Sequence, residues 1–113
     1  MMMKAVGDLP VLFQEVGYPS GYLPVPSNGS SEEKQRAFME NFFAAIKAYP
    51  QIRFVSVLQL SDWSAAICDA FGQYYGSDAP PFKEYLCSLG LWTNDGKEKA
   101  AYQAFLAALK ESH

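Results

Sequence analysis

Two short apolar runs, Pro10 to Gly17 and Ile52 to Leu60, stand either side of one amphipathic stretch, and this order constrains the fold more than any other feature of the chain. The first run has the length of a strand, and Val11, Leu12 and Phe13 in succession point to burial on both faces, as in a parallel sheet. The second is β-branched and aromatic with turn residues after it, and reads as another strand. Between them, Ser30-Ser-Glu-Glu33 has the capping-box pattern, in which a serine oxygen accepts from a first-turn amide while Glu33 reaches back. Phe38, Met39, Phe42, Phe43 and Ile46 then recur at helical spacing until Tyr49-Pro50 stops the helix. Strand, helix, strand with so long a crossover is a βαβ unit, with parallel strands and a right-handed connection.

Downstream, residues 65–79 form an excursion whose periodicity settles nothing. Pro80-Pro81 opens a short helix with Phe82, Tyr85, Leu86 and Leu89 on its apolar face, ended by Gly90. Leu91 to Gly96 is a turn holding Trp92 as a packing anchor. Asp95 and Glu98 offer a second capping box for a last helix with Tyr102, Phe105, Leu106 and Leu109 on one face. The expected fold class is α/β: a single domain over 1–113, one βαβ unit followed by C-terminal helices.

With 113 residues, half of them apolar, there is material for one core. A net charge of −3 and a pI near 5.0 leave no basic stripe for a phosphate backbone, so nucleic acid is excluded as a partner. No stretch reaches the roughly 20 apolar residues of a membrane span, and Met1 to Gly7 lacks the apolar centre of a secretory signal. A soluble chain is expected, with secretion or a periplasmic location left open for a longer form. Cys68 and Cys87 lack zinc-site spacing and the one histidine is His113, so neither metal nor cofactor is expected. The cysteines read as two buried thiols, with a disulfide as the alternative in an exported protein.

Chemistry concentrates where the strands end. Glu15 sits at the mouth of the first strand, where an ionised carboxylate must either find a structural partner or face a polar cleft. The loop over 17–31 carries three prolines, three glycines and two tyrosines, Tyr18 and Tyr22, either of which could stack on a ligand or serve loop packing. Parallel strands bring Glu15 and Ser61-Asp62-Trp63-Ser64 to one rim. Two acids and a tryptophan there suit carbohydrate, since an aromatic face covers the apolar side of a sugar and carboxylates bind hydroxyls or attack the anomeric carbon. The plainer alternatives are a core-capping Trp63 and a helix-capping Asp62.

Pro10-Val-Leu-Phe-Gln-Glu15-Val-Gly17-Tyr18-Pro19-Ser20 resembles the seventh strand of the (β/α)8 retaining glycoside hydrolases of the GH-A clan, in which a proline-led strand delivers a nucleophilic glutamate before a Gly-aromatic-Pro-Ser turn. Phe54 to Trp63 resembles strand eight, whose end supplies a tryptophan under the reacting sugar, and Leu89-Gly90-Leu91, Asp95-Gly96-Lys97 and Lys99 to Phe105 are similar to the closing segment of such barrels. The resemblance implies a partial TIM barrel, with Glu15 as nucleophile and Trp63, Tyr18, Asp62 and Tyr22 about an oligo- or polysaccharide.

The same resemblance implies that six of the eight strands lie outside this chain, among them the fourth, which supplies the acid/base glutamate. Retaining hydrolysis needs two carboxyl groups about 5 Å apart, so the separate chain is expected to be inactive. An uncovered apolar sheet face is expected to drive self-association or union with the remainder of a barrel. A non-catalytic carbohydrate-binding or self-assembling module derived from the same fold is the alternative.

Overall fold

The computed structural model describes residues 7–21, 30–76 and 80–111. In chain order the elements are β1 (Val11–Val16), α1 (Glu32–Ile46), β2 (Ile52–Val57), α2 (Ala65–Tyr74), α3 (Pro80–Cys87) and α4 (Ala100–Glu111). β1 and β2 pair in parallel, as the βαβ order requires.

The helix α1 begins one residue later than the Ser30–Glu33 box predicts. Ser31 is the cap and its hydroxyl accepts from Lys34 N–H at 3.1 Å, which places Lys34 rather than Glu33 where a reciprocal partner would stand. Ser30 is instead buried, its hydroxyl donating to Glu84 Oε1 at 3.0 Å. The predicted apolar face is the packing face: Met39 is fully buried and forms the core with Leu91 and Ala101, while Phe38, Phe43, Val57, Trp92, Tyr102, Ala104 and Phe105 close around it. Trp92 is thus the anchor the sequence suggests, its ring edge-on to Tyr102 at 5.3 Å.

Three expectations are corrected. Residues 65–74 form the regular helix α2, which Ser64 caps by accepting from Ile67 N–H at 3.3 Å, so Asp62 is not a cap. Asp95 and Glu98 do not open α4, which starts only at Ala100. Asp95 closes a turn by accepting from the Thr93 hydroxyl, Gly96 supplies its left-handed residue at φ 88°, and Glu98 accepts from Gln103 at 2.7 Å. Cys68 and Cys87 are not thiols but one disulfide joining α2 to α3, with Cα atoms 5.8 Å apart.

A fourth correction concerns the sheet. Burial on both faces does not hold, because Leu12 is 58% and Phe54 is 53% exposed. These two are register partners on the side away from the helices, and no described element covers that side. Phe13, Val16, Val55 and Val57 turn toward the helices, with Phe13 edge-on to Phe42 at 5.5 Å.

Candidate functional site

The position of Glu15 follows from an irregularity in β1. Phe13 pairs with Val55 and Val16 with Val57, so Gln14 and Glu15 together stand opposite Ser56 alone. Two residues against one is a β-bulge, and it shifts the alternation of faces by one position. Val16 therefore joins Phe13 on the helix side, where it is buried, which leaves the exposed Gln14 and Glu15 for the open side of Leu12 and Phe54. In an unbroken strand Glu15 would share the side of Phe13, against α1. Glu15 is exposed and engages no other residue among those described.

The strand ends lie side by side, with Leu58 N–H donating to Val16 carbonyl at 2.8 Å. Glu15 and the segment from Ser61 to Ser64 thus share the rim at the carboxyl ends of the strands, the edge where parallel α/β folds build their sites. Trp63 is half-buried there. Its indole stacks on Phe71 of α2, with centroids 4.5 Å apart and planes within 15°. A recess of about 200 Å³ beside it is lined by Trp63, Asp69, Lys83 and the disulfide.

Tyr18 is also half-buried, stacked on Phe38 of α1 at 5.3 Å, so its ring packs the loop down. Tyr22 lies outside the described residues. Asp62 is drawn inward: Oδ1 accepts from Gly90 N–H and from Lys99 Nζ, both at 2.8 Å, and the two side chains are 13% and 2% exposed. Burial pushes the Asp62 carboxyl above its ordinary range, with the Lys99 and Gly90 bonds opposing that rise. Of the rim acids, Asp62 is committed to the interior and Glu15 is not.

Lys99 belongs to a buried polar network absent from the sequence-based expectations. Its ammonium also donates to Ser20 Oγ at 2.9 Å and Ser88 carbonyl at 3.4 Å. Ser20 N–H and Gly21 N–H donate to the Ser88 carbonyl and hydroxyl, at 2.8 and 2.9 Å, and Ser88 Oγ donates to Glu84 carbonyl at 2.6 Å. Gln35 Nε2 donates to the Tyr18 and Gly90 carbonyls at 3.0 and 2.9 Å. The loop after Glu15 is thereby tied to α3, to the segment behind it and to the end of β2. One signal for Gln35 was in the sequence: it stands one turn before Met39 on the apolar face of α1.

Neither a family model nor a curated protein matches the chain. Solved structures do. The chain folds like a segment of glycoside hydrolases. A GH5_18 protein from Streptomyces cattleya, solved in complex with Manb1-4GlcNAc, matches over 92% of this chain at 24% identity and TM-score 0.65. A GH5_18 protein from Bifidobacterium longum subsp. infantis matches over 90% at 26% identity and TM-score 0.62, and a GH2 beta-galacturonidase from Eisenbergiella tayi bound to galacturonate over 88% at 20% and 0.62. The chain spans about a fifth of these proteins' length, 21%, 20% and 17% respectively. What is shared with these glycosidases is the fold over this segment.

No helix among the described residues is long and apolar enough to cross a membrane.

Proposed function

We propose that the chain is the C-terminal portion of a retaining glycosidase barrel, contributing strands seven and eight, and that Glu15 is its nucleophile. The observation that carries this reading is the bulge at Gln14–Glu15, which leaves an exposed carboxylate, without a partner among the described residues, for the open sheet side at the carboxyl rim. In a closed barrel that side is the interior. The Glu15 carboxylate would attack the anomeric carbon as the glycosidic bond breaks, while an acid on another strand protonates the departing oxygen. Water then hydrolyses the glycosyl ester, with that acid acting as base. The saccharide would lie over Trp63, its apolar face on the indole. Tyr18 helps indirectly, by fixing the loop through Phe38, and Asp62 by holding Lys99 and the end of β2. Tyr22, outside the described residues, is a further proposed saccharide contact. The disulfide suits export to an oxidising compartment.

The test starts with the DNA upstream of the Met1 codon. A frame that continues through six further strands, with an Asn-Glu at the end of the fourth, is the expected result. The complete protein should then be labelled at Glu15 by an activated 2-fluoro glycoside. The separate chain should not turn over an aryl glycoside. A stop codon and ribosome-binding site just before Met1, or turnover by the pure chain that survives Glu15→Gln, would overturn the reading. The first of these would leave a non-catalytic carbohydrate or assembly module.

A further inference from the structure

Neighbouring helices α2 and α3 are held very differently. α3 is rooted: Glu84 and Leu86 are buried, Ser88 and Leu89 just beyond it are buried too, and the polar network ties this segment to the loops on both sides. α2 buries only Cys68 and Gly72, while Ile67, Tyr74 and Tyr75 are 45%, 80% and 60% exposed. Its non-covalent ties to α3 include an ion pair from Asp69 to Lys83 at 2.9 Å, of the solvent-facing kind that contributes little, and an edge contact of Tyr75, just past its end, with Phe82 at 6.1 Å. The covalent bond from Cys68 to Cys87 is what attaches it firmly.

We propose that this disulfide is the positioning element of Trp63, and that reducing it unseats the ring. Phe71, on which the indole stacks, follows Cys68 by one helical turn, so whatever fixes Cys68 fixes Phe71 and the indole behind it. Trp63, Cys68 and Cys87 line the same recess, which gives a small dithiol a route to the bond. Cys68 is buried and Cys87 half-buried, so attack falls on the Cys87 sulfur and expels the Cys68 thiolate. The second thiol of the reductant then displaces Cys87. The S–S bond is broken, two protein thiols form, and the dithiol leaves as a cyclic disulfide, having given two electrons and two protons. α2 thereby loses its covalent tie to α3. The consequence for saccharide, a weaker hold on sugar in the reduced chain, rests on the proposed function above.

The chain has two tryptophans, so Trp92→Phe isolates the emission of Trp63. In that variant, reduction by dithiothreitol should raise the emission and move it to the red, and Cys68→Ser/Cys87→Ser should reproduce this without reductant. Because Trp92 is a core residue, the wild-type chain gives an independent readout. Chymotryptic cleavage after Tyr74 and Tyr75 should quicken on the order of tenfold on reduction, with cleavage elsewhere unchanged, as expected for local opening. Complete reduction, verified by mass, that leaves the emission and the cleavage unmoved would overturn the proposal. Titration of the complete protein with Manb1-4GlcNAc, followed by NMR in both redox states, separates this proposal from the reading beneath it. Binding that survives reduction unchanged refutes the positioning role. A Trp63 that responds to reduction in a complete protein that binds no sugar upholds that role and refutes the carbohydrate reading.

Discussion

Replacing Lys99 by Met tests whether the rim is held by buried charge. Methionine keeps most of the stem volume and removes the ammonium, which is only 2% exposed and donates to Asp62, Ser20 and Ser88. Removing one partner of a buried ion pair costs about 3–5 kcal/mol, because the other charge is left uncompensated. Asp62 keeps its bond from Gly90 and is 13% exposed, which puts the expected loss near the low end, about 3 kcal/mol at pH 7. For a domain of this size that lowers the Tm by roughly 10–15 °C. The loss should also depend on pH. In the folded chain Asp62 titrates above its ordinary value, mainly through burial, so near and above that value the folded state holds a proton that the unfolded chain has released. This group's contribution therefore falls as pH rises from the unfolded value, about 3.9, through the raised folded one. Without Lys99 the carboxyl rises further and the window widens. Urea unfolding followed by circular dichroism should show a larger deficit for Lys99→Met at pH 7 than near pH 5. A deficit below about 1 kcal/mol, or one that does not change with pH, would refute the argument.

Gly90→Ala should destabilise by several kcal/mol in the same assay, since an added Cβ would sit 2.5 Å from the Ser61 carbonyl carbon and closer still to the Asp62 nitrogen, where only backbone could yield. Ser31→Ala should cost about 1 kcal/mol by removing the α1 cap, with Ser31→Asp restoring most of it. Sedimentation of the separate chain should reveal concentration-dependent association through the open sheet face, abolished by Leu12→Glu with Phe54→Glu. A monomer at all concentrations would show that this face needs no cover.

The sequence disclosed those parts of the fold that apolar periodicity encodes. Phe38, Met39, Phe42, Phe43 and Ile46 announced α1, and the β-branched runs announced a parallel pair, because in both cases burial follows the repeat of the element. The polar interior was hidden for the same reason. Glu84, Ser88 and Lys99 are buried in bonds to one another's segments and to the loops, and the Gln35 amide N–H groups donate to two loop carbonyls while its Oε1 has no partner among the described residues, over separations such as the 79 residues from Ser20 to Lys99, which no local pattern records. α2 is hard to read from sequence because Ile67 and Tyr74 stand exposed alongside Asp69 and Gln73, which blurs the contrast between a polar and an apolar face.

The bulge at Gln14–Glu15 bears most on function and was the least legible. Pattern alone puts Glu15 at a strand end, and an unbroken alternation would have put it on the side of Phe13, against α1, where a carboxylate needs a partner. One extra residue against Ser56 moves it to the opposite side without disturbing the burial of Val16 that follows. Asp62, beyond the neighbouring strand, is the counterexample: it has a partner, and that partner draws it inward. Two acids at one rim thus differ in exposure through backbone register and one lysine. Straightening β1 by deleting Gln14 should return residue 15 to the helix side and cost stability, since either the glutamate is buried or the strand slips. If the Gln14 deletion folded with undiminished stability, the bulge would not be what directs Glu15 outward, and the reading of Glu15 as the reacting group would lose its structural basis.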